Sequence, residues 1–220
     1  MLAFLDRISD RTAYTVMAAG FAVSLTAAFL SPQDQALGAW VRLAIWHGML
    51  KWACIVGIFG MGVLAAVYLV SRRERLYEWV RALQFTLLPM WALAVLIGAV
   101  AAKLIWNSWN LGEPRMVMSV AYTAAAAVAL IVVLVREDHR LGAAMQIATS
   151  CAMAVGLLWI STVPAGQSVH PESAVLSSGD IAFKVYAFVM MAGCLAWVLA
   201  TVVPVRRWLA RLAHEGGAAA

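Results

Sequence analysis

Six long apolar runs separated by short polar breaks set the plan of this chain, at 13–30, 43–70, 83–105, 116–135, 141–163 and 181–205. Each is close to or above the roughly 20 residues that an α-helix needs to cross a hydrocarbon core. The runs are rich in Ala, Leu and Met and lack the ten-residue alternation of barrel strands, so the pattern predicts helices. The second run is longer than a bilayer requires, which predicts either a tilt or first turns that sit in the interface. The expected fold is therefore all-α: a polytopic membrane protein, one bundle of six transmembrane helices over 1–220.

Composition agrees with the pattern. Hydrophobic residues make up 64% and charged residues 12% of the 220, and the mean hydropathy is +0.85. That is too little polar surface to clothe a soluble globule of this size. No Ser/Gly linker, acidic tract or internal repeat divides the chain, and the tail from Glu215 is expected to fray. Residues 206–214 read as a short amphipathic helix on the membrane surface.

Charge orients the bundle. Arg7, Arg11, Arg72, Arg73, Arg75, Arg81, Arg136, Arg140, Arg206, Arg207 and Arg211 all fall on one side, against Arg42, Lys51, Lys103, Arg115 and Lys184 on the other. Short loops rich in Lys and Arg stay cytoplasmic, so both termini are expected there. The net charge of +5 is then mainly a topology signal, with attraction to anionic lipid headgroups as a second effect. Scattered bases without an aromatic-interleaved patch argue against nucleic acid. The first run is full length with acids among its bases, so it is expected to be retained as a span rather than cleaved as a leader. Cys54, Cys151 and Cys194 lie inside runs at spacings that match no zinc or CxxC pattern, and are expected to pack as small side chains.

Candidate chemistry collects in the connections on the side opposite the arginines. The first connection leads through Pro32 and Gly38 to Val41, Arg42 and His47. The second, 103–115, carries Trp106, Trp109, Glu113 and Arg115. The third, after the fifth run, carries His170 followed by Pro171, whose ring biases the preceding residue toward an extended backbone. Arg42 and His47 are five apart, about 500° around a helix, so they do not share a face exactly but can still approach a large ligand from adjacent sides. His47 and Lys51 are four apart and share a face. An ionisable group within a span is by default a functional candidate, because stranding its charge there costs about 2.5 kcal/mol or more. Lys51 has three ways out: neutralisation, an acidic partner, or snorkelling to the interface. Plainer readings exist for the others too. A histidine here is satisfied by one hydrogen bond to a neighbouring helix, and Trp is enriched at membrane interfaces as an anchor.

These residues resemble a known family. Pro32, Gly38, Val41, Arg42 and His47, then the loop from Trp106 to Arg115, then a second histidine before the last span, look like the haem-handling proteins of cytochrome c maturation. The nearest branch is the six-span CcmC type, and the resemblance covers essentially the whole chain in span number and order of sites. In that family a tryptophan-rich periplasmic segment, the WWD motif, presents haem between two histidine ligands. This chain keeps Trp106, Trp109, an acid as Glu113, and Arg115, while Asn107, Asn110 and Gly112 stand where the family has Gly, Trp and Trp.

The resemblance implies a haem-binding and haem-delivery protein of the bacterial-type inner membrane. Haem b would be ligated through iron by His47 and His170, packed on Trp106 and Trp109, and paired at its propionates with Arg42 and Arg115, with Glu113 beside them. Implied partners are a periplasmic haem chaperone or apocytochrome and other membrane subunits, besides the lipid bilayer itself. Two alternatives remain open: a subunit that keeps b-haem for electron transfer, or a scaffold subunit that has the fold without haem. Neither a nucleophile with a nearby base nor a phosphate-binding glycine loop is present in the sequence, so the expectation is a carrier of haem rather than a classical enzyme.

Overall fold

A computed structural model describes residues 6–32, 38–136, 138–163 and 180–218. It contains six helices long and apolar enough to cross a membrane: α1 (Asp10–Leu30), α2 (Val41–Ser71), α3 (Glu74–Trp106), α4 (Pro114–Arg136), α5 (His139–Thr162) and α6 (Ile181–Ala218). The chain is an all-α, multi-pass membrane bundle. Val63, Val67 and Val70 of α2, Val128, Ile131 and Val135 of α4, and Val155, Leu158 and Trp159 of α5 are all exposed. Such an outward apolar surface suits lipid rather than water.

Local chemistry sets the helix ends. Ser9 caps α1 by accepting the Thr12 N–H at 3.1 Å, and Asp138 caps α5 by accepting from Arg140 and Leu141 at 2.8 and 3.2 Å. Each cap satisfies donors that a helix start leaves without partners. The helices α2 and α3 end at Arg72 and Asn107, with φ of 54° and 51°. Asn tolerates that left-handed backbone well, and Lys103 Nζ adds a bond to the Asn107 carbonyl at 3.1 Å.

Two helices run further than the apolar runs that foretold them. The third apolar run starts at residue 83, but α3 begins nine residues earlier because Leu76, Tyr77, Trp79 and Val80 continue its buried face. The stretch 206–214 is not a separate surface helix. It continues α6 directly, through Pro204.

Packing centres on α2. Half of its most apolar stretch is buried, against a third or less for the other five, and it meets α1, α3, α5 and α6. Around it, α1 lies on α6 while α4 leans on α3 and α5. Helices approach closely in lipid where small residues let backbones touch, and the α1–α6 crossing is such a place. A Cβ built on Gly20 would stand 2.7 Å from the Gly193 carbonyl oxygen, and one built on Gly193 would stand 2.7 Å from the Gly20 oxygen. Beside it Phe21 meets Trp197 edge-on, ring centroids 4.9 Å apart, and Trp46 of α2 donates to Ser24 of α1 at 3.1 Å.

The end bearing the arginines is tied by charge. Asp6 pairs with Arg75 and Arg206, Arg206 also reaches Glu78 at 3.2 Å, and Arg207 pairs with Asp10. Arg206 lies 4.7 Å from the centre of the Trp79 ring. His139 pairs with Glu74 at 2.7 Å while stacking on Tyr77. These pairs are partly exposed and contribute position more than stability. Of the cysteines, Cys54 and Cys194 are buried packing residues as expected, whereas Cys151 faces outward.

Gly20→Ala forces a methyl against backbone that cannot yield, so it is expected to cost about 1–3 kcal/mol. Gly60→Ala, where nothing lies within 4 Å, is the matched control. Thermal unfolding in detergent checks the pair: a lower midpoint for the first variant and none for the second. The Asp138 cap predicts a pH effect. Hydrogen bonds from the Leu141 and Arg140 N–H groups hold its carboxyl below the ordinary range. A depressed carboxyl stabilises the fold above its unfolded pKa and loses that contribution as pH falls through the folded one. Hydrogen exchange in the first turn of α5 is therefore expected to speed up in acid beyond the intrinsic pH trend, and Asp138→Asn should flatten that response.

Candidate functional site

At the end of the bundle away from the arginine clamp, α2 presents His47 and Lys51 one turn apart to α3 and α4. His47 is 8% exposed. Its Nδ1 lies 2.7 Å from the Ala94 carbonyl oxygen of α3, and a carbonyl only accepts, so Nδ1 carries the proton. In the neutral ring this assigns the lone pair to Nε2. The imidazole lies on Gly98, where a Cβ would stand 2.7 Å from Nδ1 and 2.9 Å from Nε2. Glycine at 98 thus makes the seat for the ring, one turn along α3 from the carbonyl that orients it.

Lys51 is held differently. Its Nζ donates to Ser119 Oγ of α4 at 2.5 Å and lies 5.2 Å from the centre of the Trp91 ring of α3. Trp91 is fully buried, and its Nε1 donates to the Ser119 carbonyl at 3.2 Å. The Ser119 hydroxyl donates in turn to the Arg115 carbonyl. One serine therefore connects α2, α3 and α4. A cation over a desolvated indole gains up to about 2 kcal/mol, which offsets part of the cost of holding an ammonium here.

Glu113 completes the group from the α3–α4 connection. It is 6% exposed, and its Oε2 accepts the Met116 N–H at 2.9 Å. Pro114 follows as the first residue of α4, a position where its missing N–H costs nothing. A carboxylate is favoured at a helix N-terminus, and the Glu113 charge also attracts the Lys51 ammonium while Arg115 opposes it. The contacts of Lys51 are thus a serine and an indole within the bundle, in place of the acidic partner that was one of its expected ways out.

The other sequence candidates are distributed around this group. Arg42 turns to α1, where its Nε donates to the Ser31 carbonyl at 2.9 Å, fastening the end of α1 to the start of α2. Arg42 and His47 thus bond to different helices, Arg42 to α1 and His47 to α3. Trp106 ends α3 half-buried, Trp109 is 51% exposed in the connection, and Arg115 sits half-buried in the first turn of α4. His170 lies outside the described residues. Among the described residues no three His, Cys, Asp or Glu side chains gather as a metal-binding group.

Sequence reasoning missed Ala94, Gly98, Trp91 and Ser119. Two of them left a trace: Gly98 and Ser119 interrupt otherwise apolar stretches, and Ser119 follows Arg115 by one helical turn. Ala94 acts through its backbone, and Trp91 looks like any core aromatic.

No known protein-family profile matches the chain, and no curated protein matches it.

Gly98→Ala is expected to push the imidazole off α3 while leaving α2 helical. The His47 ring should then react with diethyl pyrocarbonate several-fold faster than in the wild type. Gly48→Ala, a site with nothing within 4 Å, should leave that rate unchanged.

Proposed function

We propose that this protein binds haem b at the outer face of a bacterial-type inner membrane and hands it on during cytochrome c maturation. The observation that supports this most is the bond from His47 Nδ1 to the Ala94 carbonyl. Imidazoles that ligate metals are commonly held through the opposite ring nitrogen by a carbonyl or carboxylate, which fixes the tautomer and the ring direction. The donor chemistry at His47 fits an axial ligand of that kind.

In this reading His47 and His170 supply the two axial nitrogens. Bis-histidine ligation fills both faces of the iron and disfavours oxygen binding. Trp106 and the half-exposed Trp109 would supply indole surface for the porphyrin to pack on. Arg42 and Arg115 would pair with the propionates, for which a guanidinium can supply two charge-assisted hydrogen bonds. Glu113 and Lys51 set the field beneath them. The partners are a periplasmic haem chaperone or apocytochrome and further membrane subunits.

A second reading has a specific observation in its favour. His47 is almost wholly enclosed and already hydrogen-bonded to α3, which is what a scaffold subunit without haem would need from a structural histidine.

Pyridine-haemochrome and reduced-minus-oxidised spectra of the detergent-purified protein separate the two. The haem reading expects bound haem in the wild type, lost or spectrally altered in both His47→Ala and His170→Ala. Trp106→Ala and Arg115→Ala should weaken haem retention with a smaller spectral change. Wild-type protein that takes up no haem after incubation with haemin would leave the scaffold reading standing.

A further inference from the structure

Deeper in the bundle, two glutamines face a common void that is unrelated to the His47 end. Gln84 of α3 is 4% exposed and Gln146 of α5 is 2% exposed. Both line a small cavity whose other walls include Ile58, Met61, Leu87 and Tyr122. The Nε2 of each glutamine is buried without a hydrogen-bond partner. Two unpaired amide donors on one apolar void are costly in a medium with no solvent to satisfy them.

The size of the void selects the ligand. It leaves about 10 Å3 open to the centre of a water molecule, close to what one water requires and far below what an organic ring needs. We propose that Gln84 and Gln146 hold a single structural water that joins α3 to α5 in the interior of the bundle. The water accepts one N–H from each amide, and Tyr122, another residue of the lining whose hydroxyl also meets Thr149, offers a third polar partner. Three partners is the usual number for a buried water.

The site has a structural consequence. On α5 the Ser150 hydroxyl donates to the Ile58 carbonyl of α2 at 2.8 Å and lies 2.9 Å from the Gln146 carbonyl oxygen. A water on the Gln146 amide extends this polar contact from α2 and α5 to α3. Tyr122, on the same lining, meets Trp91 edge-on with ring centroids 5.2 Å apart.

Thermal unfolding of the purified full-length protein in detergent tests the proposal without reference to haem, using Gln84→Leu, Gln146→Leu and the double variant. With a bridging water, each single substitution strips the other amide of its partner and should lower the midpoint by roughly 2–4 °C. The double variant should fall no further than the singles, because the pair is lost at the first step. If the amides have no water, an apolar side chain of similar size removes an unpaired buried donor, and the midpoint rises or stays level. A rise, no change, or two losses that add would each overturn the proposal. A density map of the wild type at side-chain detail gives an independent decision. A peak within hydrogen-bonding distance of both Nε2 atoms supports the water, and a clear map without one excludes it.

Discussion

A polar group carried into hydrocarbon must find its partner inside the protein, and Ser119 shows how far that constraint shapes this bundle. Its hydroxyl takes the Lys51 ammonium and gives its own proton to the Arg115 carbonyl, while its carbonyl takes the Trp91 indole N–H. Three helices are placed by one side chain and its backbone. His47 obeys the same constraint through the Ala94 carbonyl, Trp46 through Ser24, and Arg42 through Ser31. Lipid exerts no hydrophobic force between apolar helices, so these bonds and close backbone contacts carry the specificity of packing.

The two ends of the molecule use polar chemistry in different ways. At the arginine-rich end, charges pair with charges at the surface, where water weakens each pair and the gain is mutual positioning of α1, α3 and α6. At the opposite end, charge goes inward. Lys51 meets an indole, a hydroxyl and the field of a buried carboxylate rather than a direct ion pair. Such an arrangement holds the Lys51 amine inside the bundle by a hydroxyl and an indole rather than by a carboxylate in contact with it.

The architecture was largely legible in the sequence, because the spanning length and the apolar composition of the six runs admit few other folds. The limits of α3 and α6 were less so. Leu76, Tyr77, Trp79 and Val80 lie among Arg and Glu residues that read as a loop by hydropathy, although their spacing is helical. The stretch 206–214 read as a separate surface helix because its Arg residues end the apolar run, yet the backbone continues α6 through Pro204 without a break. At the site, His47, Lys51 and Glu113 could be picked out because ionisable groups in apolar surroundings are conspicuous. Their partners could not. A backbone carbonyl at Ala94, an absent side chain at Gly98 and a core indole at Trp91 have no chemical signature until helices α2, α3 and α4 are set side by side.

The crossing of α1 and α6 at Gly20 and Gly193 has a consequence for biogenesis. A chain is made and inserted from its first helix onward, so α1 enters the bilayer long before its principal neighbour exists. Until α6 follows, the close contact at Gly20 is unmade, and the bonds available to α1 are those from Trp46 and Arg42 of α2. The contact between α1 and α6 therefore forms only after the four helices between them in the chain have been made.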